Sequence, residues 1–218
     1  MSGWARGERA QLVELMRRLG PDAPTACTGW TTADMAAHLY VRERRLDAGP
    51  GVVVGGPFAS HTDRVMASVL RVHTYDDVVA RVAAGPPLLL RPVDEQMNLF
   101  EFFVHHEDVR RANGSASNGS ASKVAGPREL PAELETVLWE RLRRTLRLSL
   151  RRMRGTQVEV VAEQGGRAVV GGSGPTVRLT GPVGELVLYT FNRKDIAQVE
   201  LSGDASAITS LRDARLGI

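Results

Sequence analysis

The apolar period changes once along this chain, at Gly155, and that change constrains the fold more than any other feature. Before Gly155 apolar residues recur every three or four positions in runs separated by Gly-Pro breakers, the signature of helices. Leu12, Val13, Leu15, Met16 and Leu19 mark a helix over 4–19 that stops at Gly20-Pro21. Thr31-Thr32-Ala33-Asp34 approximates a capping box and starts a second helix carrying Met35, His38, Leu39 and Val41, which ends before Gly49-Pro50-Gly51. Residues 51–58 form a glycine-rich loop. Further helices are expected over about 60–72, over 76–84 behind a Thr74 cap, and over 93–112. A last one runs from Pro131 to about Arg154 with Leu134, Leu138, Leu142, Leu146 and Met153 on one stripe. After Gly155 the segments around Val158–Val161, Ala168–Val170, Val177–Leu179 and Val199–Leu201 read as short strands, with helical pieces at about 181–192 and 204–214 among them. The expected fold is α+β: an antiparallel helical bundle over 1–154 and a small α/β domain over 155–218. Residues 113–126, rich in Asn, Gly and Ser, bury no apolar face and are expected to be a flexible loop.

Composition narrows the function classes. With 218 residues, 43% hydrophobic and 24% charged, the chain has enough apolar material for a sizeable core. No apolar run approaches the ~20 residues of a membrane helix. The first residues, Met1–Glu8, lack the apolar core and cleavage site of a signal peptide, so a cytoplasmic protein without membrane contact is expected. The single cysteine, Cys27, excludes an internal disulfide and a cysteine-rich zinc site; it reads as a small buried thiol. Net charge is only +3, with 25 acids interspersed among 28 bases, of which just Lys123 and Lys194 are lysine. Seven arginines between Arg141 and Arg154 surround an apolar stripe without aromatic interleaving or helix-turn-helix spacing, so they read as a solvated face and no nucleic-acid partner is expected. The glycines at 165–174 lack the pattern of a dinucleotide or phosphate loop.

The chemistry concentrates in residues 93–109. On a helix Asp94, Asn98, Glu101, His105 and Asp108 fall at steps of four, three, four and three, one polar stripe between faces built of Leu99, Phe100, Phe102, Phe103 and Val104. A polar stripe in such an apolar helix is expected to face inward, where carboxylates and imidazoles are costly unless paired or bound to a metal. Glu101 and His105 sit one turn apart and can meet a single cation. A third ligand must come from another helix, and His38, among Ala36, Ala37 and Leu39, is the natural candidate. Two histidines and a glutamate leave a coordination position open, as catalytic zinc requires. The competing reading places His105 and His106 on a solvated face and makes His38 a hydrogen-bonded core histidine. Asp108 is open between orienting an imidazole and pairing with Arg110 or Arg111, and Asp34 is assigned to the helix cap.

The segment Gly29-Trp30-Thr31-Thr32-Ala33-Asp34-Met35-Ala36-Ala37-His38-Leu39, followed about sixty residues later by Glu101-Phe102-Phe103-Val104-His105-His106-Glu107-Asp108-Val109, resembles the DinB-like metalloprotein superfamily. Within it the likeness is to the actinobacterial mycothiol-dependent maleylpyruvate isomerase-like proteins. The resemblance spans most of the chain and implies a four-helix bundle with a small C-terminal α/β domain. It implies a divalent metal, usually zinc, on His38, Glu101 and His105, and mycothiol as cosubstrate. A thiol on zinc is a thiolate at neutral pH, which would add to an enoyl bond and leave again in an isomerase, or stay attached to an electrophile in an S-transferase. Arginines bind carboxylates through a bidentate fork. Arg42 and Arg45, following His38 on its helix, are the candidates for holding the thiol, and His61 and Arg64 are the catalytic candidates. The alternative is a non-catalytic metal-binding or ligand-sensing protein of the same fold. Either a monomer or a homodimer is compatible.

Overall fold

A computed structural model describes residues 3–44, 59–114, 125–153 and 155–217, with the backbone alone for 59–63. Arg45, the 51–58 loop and most of the 113–126 tract lie outside the described residues. The architecture is α+β, with eight α-helices and one four-stranded sheet among those residues. The chain divides into two compact units, 1–125 and 126–218.

The first unit is helical. It holds α1 (Trp4–Leu19), α2 (Thr32–Arg44), α3 (Ala59–Val72), α4 (Tyr75–Ala83) and α5 (Asp94–Ala112). A 3-10 turn, Leu88–Val93, leads into α5. The cap signals act as the sequence suggests. Thr31 N–H donates to Asp34 Oδ2 at 2.9 Å and Asp34 N–H to Thr31 Oγ1 at 3.4 Å, a reciprocal box at the head of α2. Thr74 Oγ1 accepts from Asp77 N–H at 3.2 Å and opens α4. Helix α1 lies along α5, α2 packs on α3 and α4, and α1 also meets α4. Their apolar stripes meet in one core that includes Leu12, Met16, Met35, Leu39, Val78 and Phe102.

Helix α5 departs from the ordinary amphipathic pattern. From Asn98 to Val109 every residue is buried or half-buried, polar ones included. The inward polar stripe is therefore real, and the solvated-face reading of His105 and His106 is overturned: both are buried.

The second unit begins with α6 (Ala132–Ser149), followed by β1 (Gln157–Ala162), β2 (Arg167–Gly171), β3 (Thr176–Gly181), α7 (Val183–Thr190), β4 (Glu200–Gly203) and α8 (Ala205–Asp213). The sheet order is β2-β1-β3-β4. β1 pairs antiparallel with β2 and parallel with β3, in register Val158 to Val177 and Val160 to Leu179, and β4 closes antiparallel on β3. Alternation puts Val158, Val160, Val177 and Leu179 on one buried face.

The division of the chain differs from the one expected at 154/155. Helix α6 belongs with the strands, because its stripe of Leu134, Leu138, Leu142 and Leu146 is buried where α6 packs on α7 and β2. The helix also ends at Ser149, five residues short of the expected Arg154, and Met153 turns inward instead of extending the stripe. Lys194 Nζ fixes the end of α8 by donating to the carbonyls of Leu211 at 2.7 Å and Arg212 at 2.8 Å.

At the end of β2, Gly171 has φ +106°, and a Cβ there would overlap the Thr156 carbonyl oxygen. Gly171→Ala is expected to destabilise the fold by about 1–3 kcal/mol, measured by urea unfolding. A change within 0.5 kcal/mol, roughly that of a neutral surface substitution, would contradict the strained turn.

Candidate metal centre

Three donor atoms converge where α2 and α5 face each other in the first unit. His38 Nε2 lies 2.9 Å and His105 Nε2 3.2 Å from the same oxygen, Glu101 Oε1. Arg42 Nε approaches that oxygen at 3.1 Å. Position along the helices explains the convergence. Glu101 and His105 are one turn apart on α5, and Arg42 is one turn beyond His38 on α2. The small Ala36 and Ala37 beside His38 are fully buried. The two imidazoles meet edge to face at 5.0 Å, and Trp30 leans on the far side of His38 at 5.1 Å.

The other ring nitrogen of His105 decides the role of Asp108. Asp108 Oδ2 lies 2.9 Å from His105 Nδ1, and its carboxylate is fully buried. Arg110 and Arg111, its alternative partners by sequence, bond Glu107 at 2.7 Å and 2.6 Å. The neighbouring His106 turns away to α1, with Nδ1 2.8 Å from Glu8 Oε2. Helical geometry thus separates two adjacent histidines: His105 joins the cluster, His106 the packing of α1 on α5.

The electrostatics follow from this arrangement. Burial, assisted by His105 and Arg42, holds the His38 imidazole below its ordinary value, against the hydrogen bond to Glu101. Burial also disfavours charge on His105, yet hydrogen bonds to Asp108, Cys27 and Glu101 outweigh it and raise that imidazole well above the usual range. Burial opposes the Glu101 carboxylate too, but Arg42 and both imidazoles prevail and hold it well below the usual carboxylate range.

The donor set fits a metal. The His38, Glu101 and His105 ligand atoms all lie within 4.8 Å of one another. Two ligands about 2.0–2.1 Å from one zinc at a tetrahedral angle are roughly 3.3 Å apart, so small shifts bring these atoms onto one ion. The carboxylate behind the ring of His105 is the partner that metal-bound imidazoles ordinarily have.

Of the other residues singled out by sequence, Arg42 is the one seen at the cluster. Arg42 contacts Glu101 through Nε, Asn98 Oδ1 through one terminal nitrogen and the Met97 carbonyl through the other, and so positions Glu101. Arg64 is exposed on α3, and His61 lies on the backbone-only first turns of that helix. Sequence reasoning missed Arg9. Its guanidinium is buried against Glu43 at 2.7 Å and Asp94 at 2.7 Å, over the Phe102 ring at 4.2 Å. Asn98 Nδ2 bonds the same two carboxylates, at 3.2 Å and 2.6 Å, and so joins this cluster through Arg42 to Glu101. The signal was present: Glu8 and Arg9 sit between Ala5 and Leu12 on the apolar stripe of α1. Cys27 carried no such signal, because a loop delivers it.

No protein-family model matches the sequence, and no curated protein matches it significantly. The structure does match solved ones. It superposes on the crystal structure of mycothiol-dependent maleylpyruvate isomerase with a TM-score of 0.58 at 17% identity, over 93% of this chain and 92% of the other. The two chains share a fold. A histidine-to-alanine mutant of that isomerase gives a TM-score of 0.57 over the same fractions. The isomerase-like fold expected from the Trp30–Leu39 and Glu101–Val109 segments is the one found. No helix among the described residues is long and apolar enough to cross a membrane.

Proposed function

We propose that this chain is a metal-dependent enzyme of the DinB-like, four-helix type that uses a low-molecular-weight thiol such as mycothiol against a small electrophile, as an isomerase or an S-transferase. The observation that carries the reading is the convergence of His38 Nε2, Glu101 Oε1 and His105 Nε2 with Asp108 behind the ring. These three residues would hold the ion, with zinc favoured by the His₂Glu set. A divalent cation there supplies the charge that keeps a thiol deprotonated at neutral pH.

The chain's own residues supply the rest. Asp108 fixes the ring of His105 and the nitrogen it presents. Arg42 keeps Glu101 ionised and aimed, and Asn98 keeps Arg42 in place. Trp30 packs against the ring of His38. In this reading Arg45 contacts the thiol, with Arg42 bordering it, while His61 and Arg64 serve the electrophile. The thiolate sulfur adds to an activated carbon. In an isomerase, addition to an enoyl bond leaves a single bond that rotates, and collapse of the enolate expels the thiolate again. In a transferase the sulfur stays and a leaving group departs. A cytoplasmic setting, where such thiols are reduced, suits either outcome.

The test is a thiol titration of cobalt-loaded protein carrying Cys27→Ser, so that a sulfur-to-cobalt band reports only the added thiol. About one cobalt per chain, a charge-transfer band on adding mycothiol, and loss of the cobalt in His38→Ala are expected. Cobalt that binds without answering thiol would overturn the thiol-dependent reading in favour of a non-catalytic metal-binding protein.

A further inference from the structure

We propose that Cys27, His105 and Asp108 form a second cation site, for a thiophilic divalent ion such as Zn²⁺ or Cd²⁺, on the opposite edge of the His105 ring from the His38–Glu101 donors. Cys27 Sγ lies 3.2 Å from Asp108 Oδ2, which lies 2.9 Å from His105 Nδ1, and a hydrogen bond also links Cys27 with His105. The three donor atoms fall within 4.8 Å of one another. The His38 set uses Nε2 of the same ring, so the two donor sets share a ligand without sharing a ligand atom.

The loop that carries Cys27 is fastened where the site needs it. Ala26 N–H donates to the Asp108 carbonyl at 2.9 Å, Cys27 N–H to Thr25 Oγ1 at 3.2 Å, and Trp30 N–H to the Cys27 carbonyl at 2.9 Å. The donors are therefore placed before any ion arrives, and little ordering remains to be done. His105 and Asp108 are buried and Cys27 is half-buried.

The chemistry selects the ion. One thiolate, one imidazole and one carboxylate suit zinc or cadmium, whereas magnesium, calcium and manganese prefer oxygen alone. Three protein ligands leave a position for water. Asp108 changes from a partner of the ring to a ligand of the ion.

The chain's single cysteine makes the test unambiguous, since any sulfur-to-metal absorption in the absence of added thiol arises from Cys27. Metal-stripped wild type, Cys27→Ser and His38→Ala are titrated with Cd²⁺ under a thiol-free reductant, following the ultraviolet thiolate–cadmium band and the bound stoichiometry. Wild type is expected to bind two ions and develop the band once. Cys27→Ser is expected to lose the band and one equivalent, and His38→Ala to keep the band and lose the other. One ion in wild type, without a band and lost in His38→Ala, would overturn the second site and leave the proposed function standing. One ion with the band, retained in His38→Ala, would support this site and count against the His38 set. No band in any of the three proteins overturns the inference.

Discussion

His105→Ala is expected to purify without stoichiometric metal at the His38 set, while His106→Ala keeps its metal and loses stability. The two residues are adjacent, and spacing from Glu101 favours His105, four residues on, over its neighbour. His105 presents Nε2 to Glu101 and Nδ1 to Asp108, whereas His106 bonds Glu8 on α1. Removing His105 takes away a direct donor, and two remaining ligands from separate helices hold a divalent ion weakly. A fall of at least about 100-fold in affinity is expected, at or beyond the loss that follows removal of a ligand's supporting partner. Removing His106 takes the imidazole from a buried Glu8 and costs about 1–3 kcal/mol. Metal analysis after dialysis and urea unfolding, run on both variants, separate the two effects. Equal metal loss in both, or loss in His106→Ala alone, would contradict the assignment.

Arg9→Met should be among the most destabilising single changes in the first unit. The arginine side chain is 3% exposed and its partner Glu43 2%, so removing the guanidinium strands a carboxylate in the interior. Breaking such a pair from one side costs about 3–5 kcal/mol, whereas replacing both partners by apolar groups is often close to neutral. Arg9→Met with Glu43→Met is accordingly expected to be more stable than Arg9→Met alone, and a double-mutant cycle in urea gives the coupling. The sign of the pH dependence follows from Glu43. Burial raises its carboxyl above the ordinary value, with Arg9 pulling the other way. A carboxyl raised on folding contributes stability that is present at low pH and lost as pH rises through the folded-state value. Without Arg9 that rise is larger, so the deficit of Arg9→Met should be greatest near neutral pH and shrink on acidification. A loss under about 0.5 kcal/mol at neutral pH, ordinary for an exposed arginine, would show that the cluster does not form.

Most of the fold was legible because its elements follow local rules. The box at Thr31–Asp34, the cap at Thr74 and the change of period at Gly155 all act at short range. What period cannot say is which neighbour an apolar stripe will find, and for that reason α6 was grouped with the wrong unit: it is helical, but its leucines meet α7 and β2. The candidate site divides in the same way. His105 follows Glu101 by one turn, so their pairing could be read from spacing, and His38 stood out among small residues. The role of Asp108 rested on burial, which spacing leaves open. The bonds of Arg42 to the Asn98, Met97 and Glu101 oxygens were not legible, because a sequence shows a charge and not its partners. Cys27 and Trp30 reach the cluster through a loop whose path depends on bonds such as Ala26 to Asp108.

Between Asn98 and Val109, helix α5 has no exposed residue, and that has an evolutionary consequence. Glu101, His105 and Asp108 answer one another's charge in a dry interior, so losing any one of them penalises folding whether or not a substrate is ever turned over. Purifying selection for a stable chain would by itself preserve the donors. The histidines and the glutamate would persist on that ground alone, and divergence would register first at exposed positions such as Arg64. Inheritance of these donors tracks the integrity of the interior.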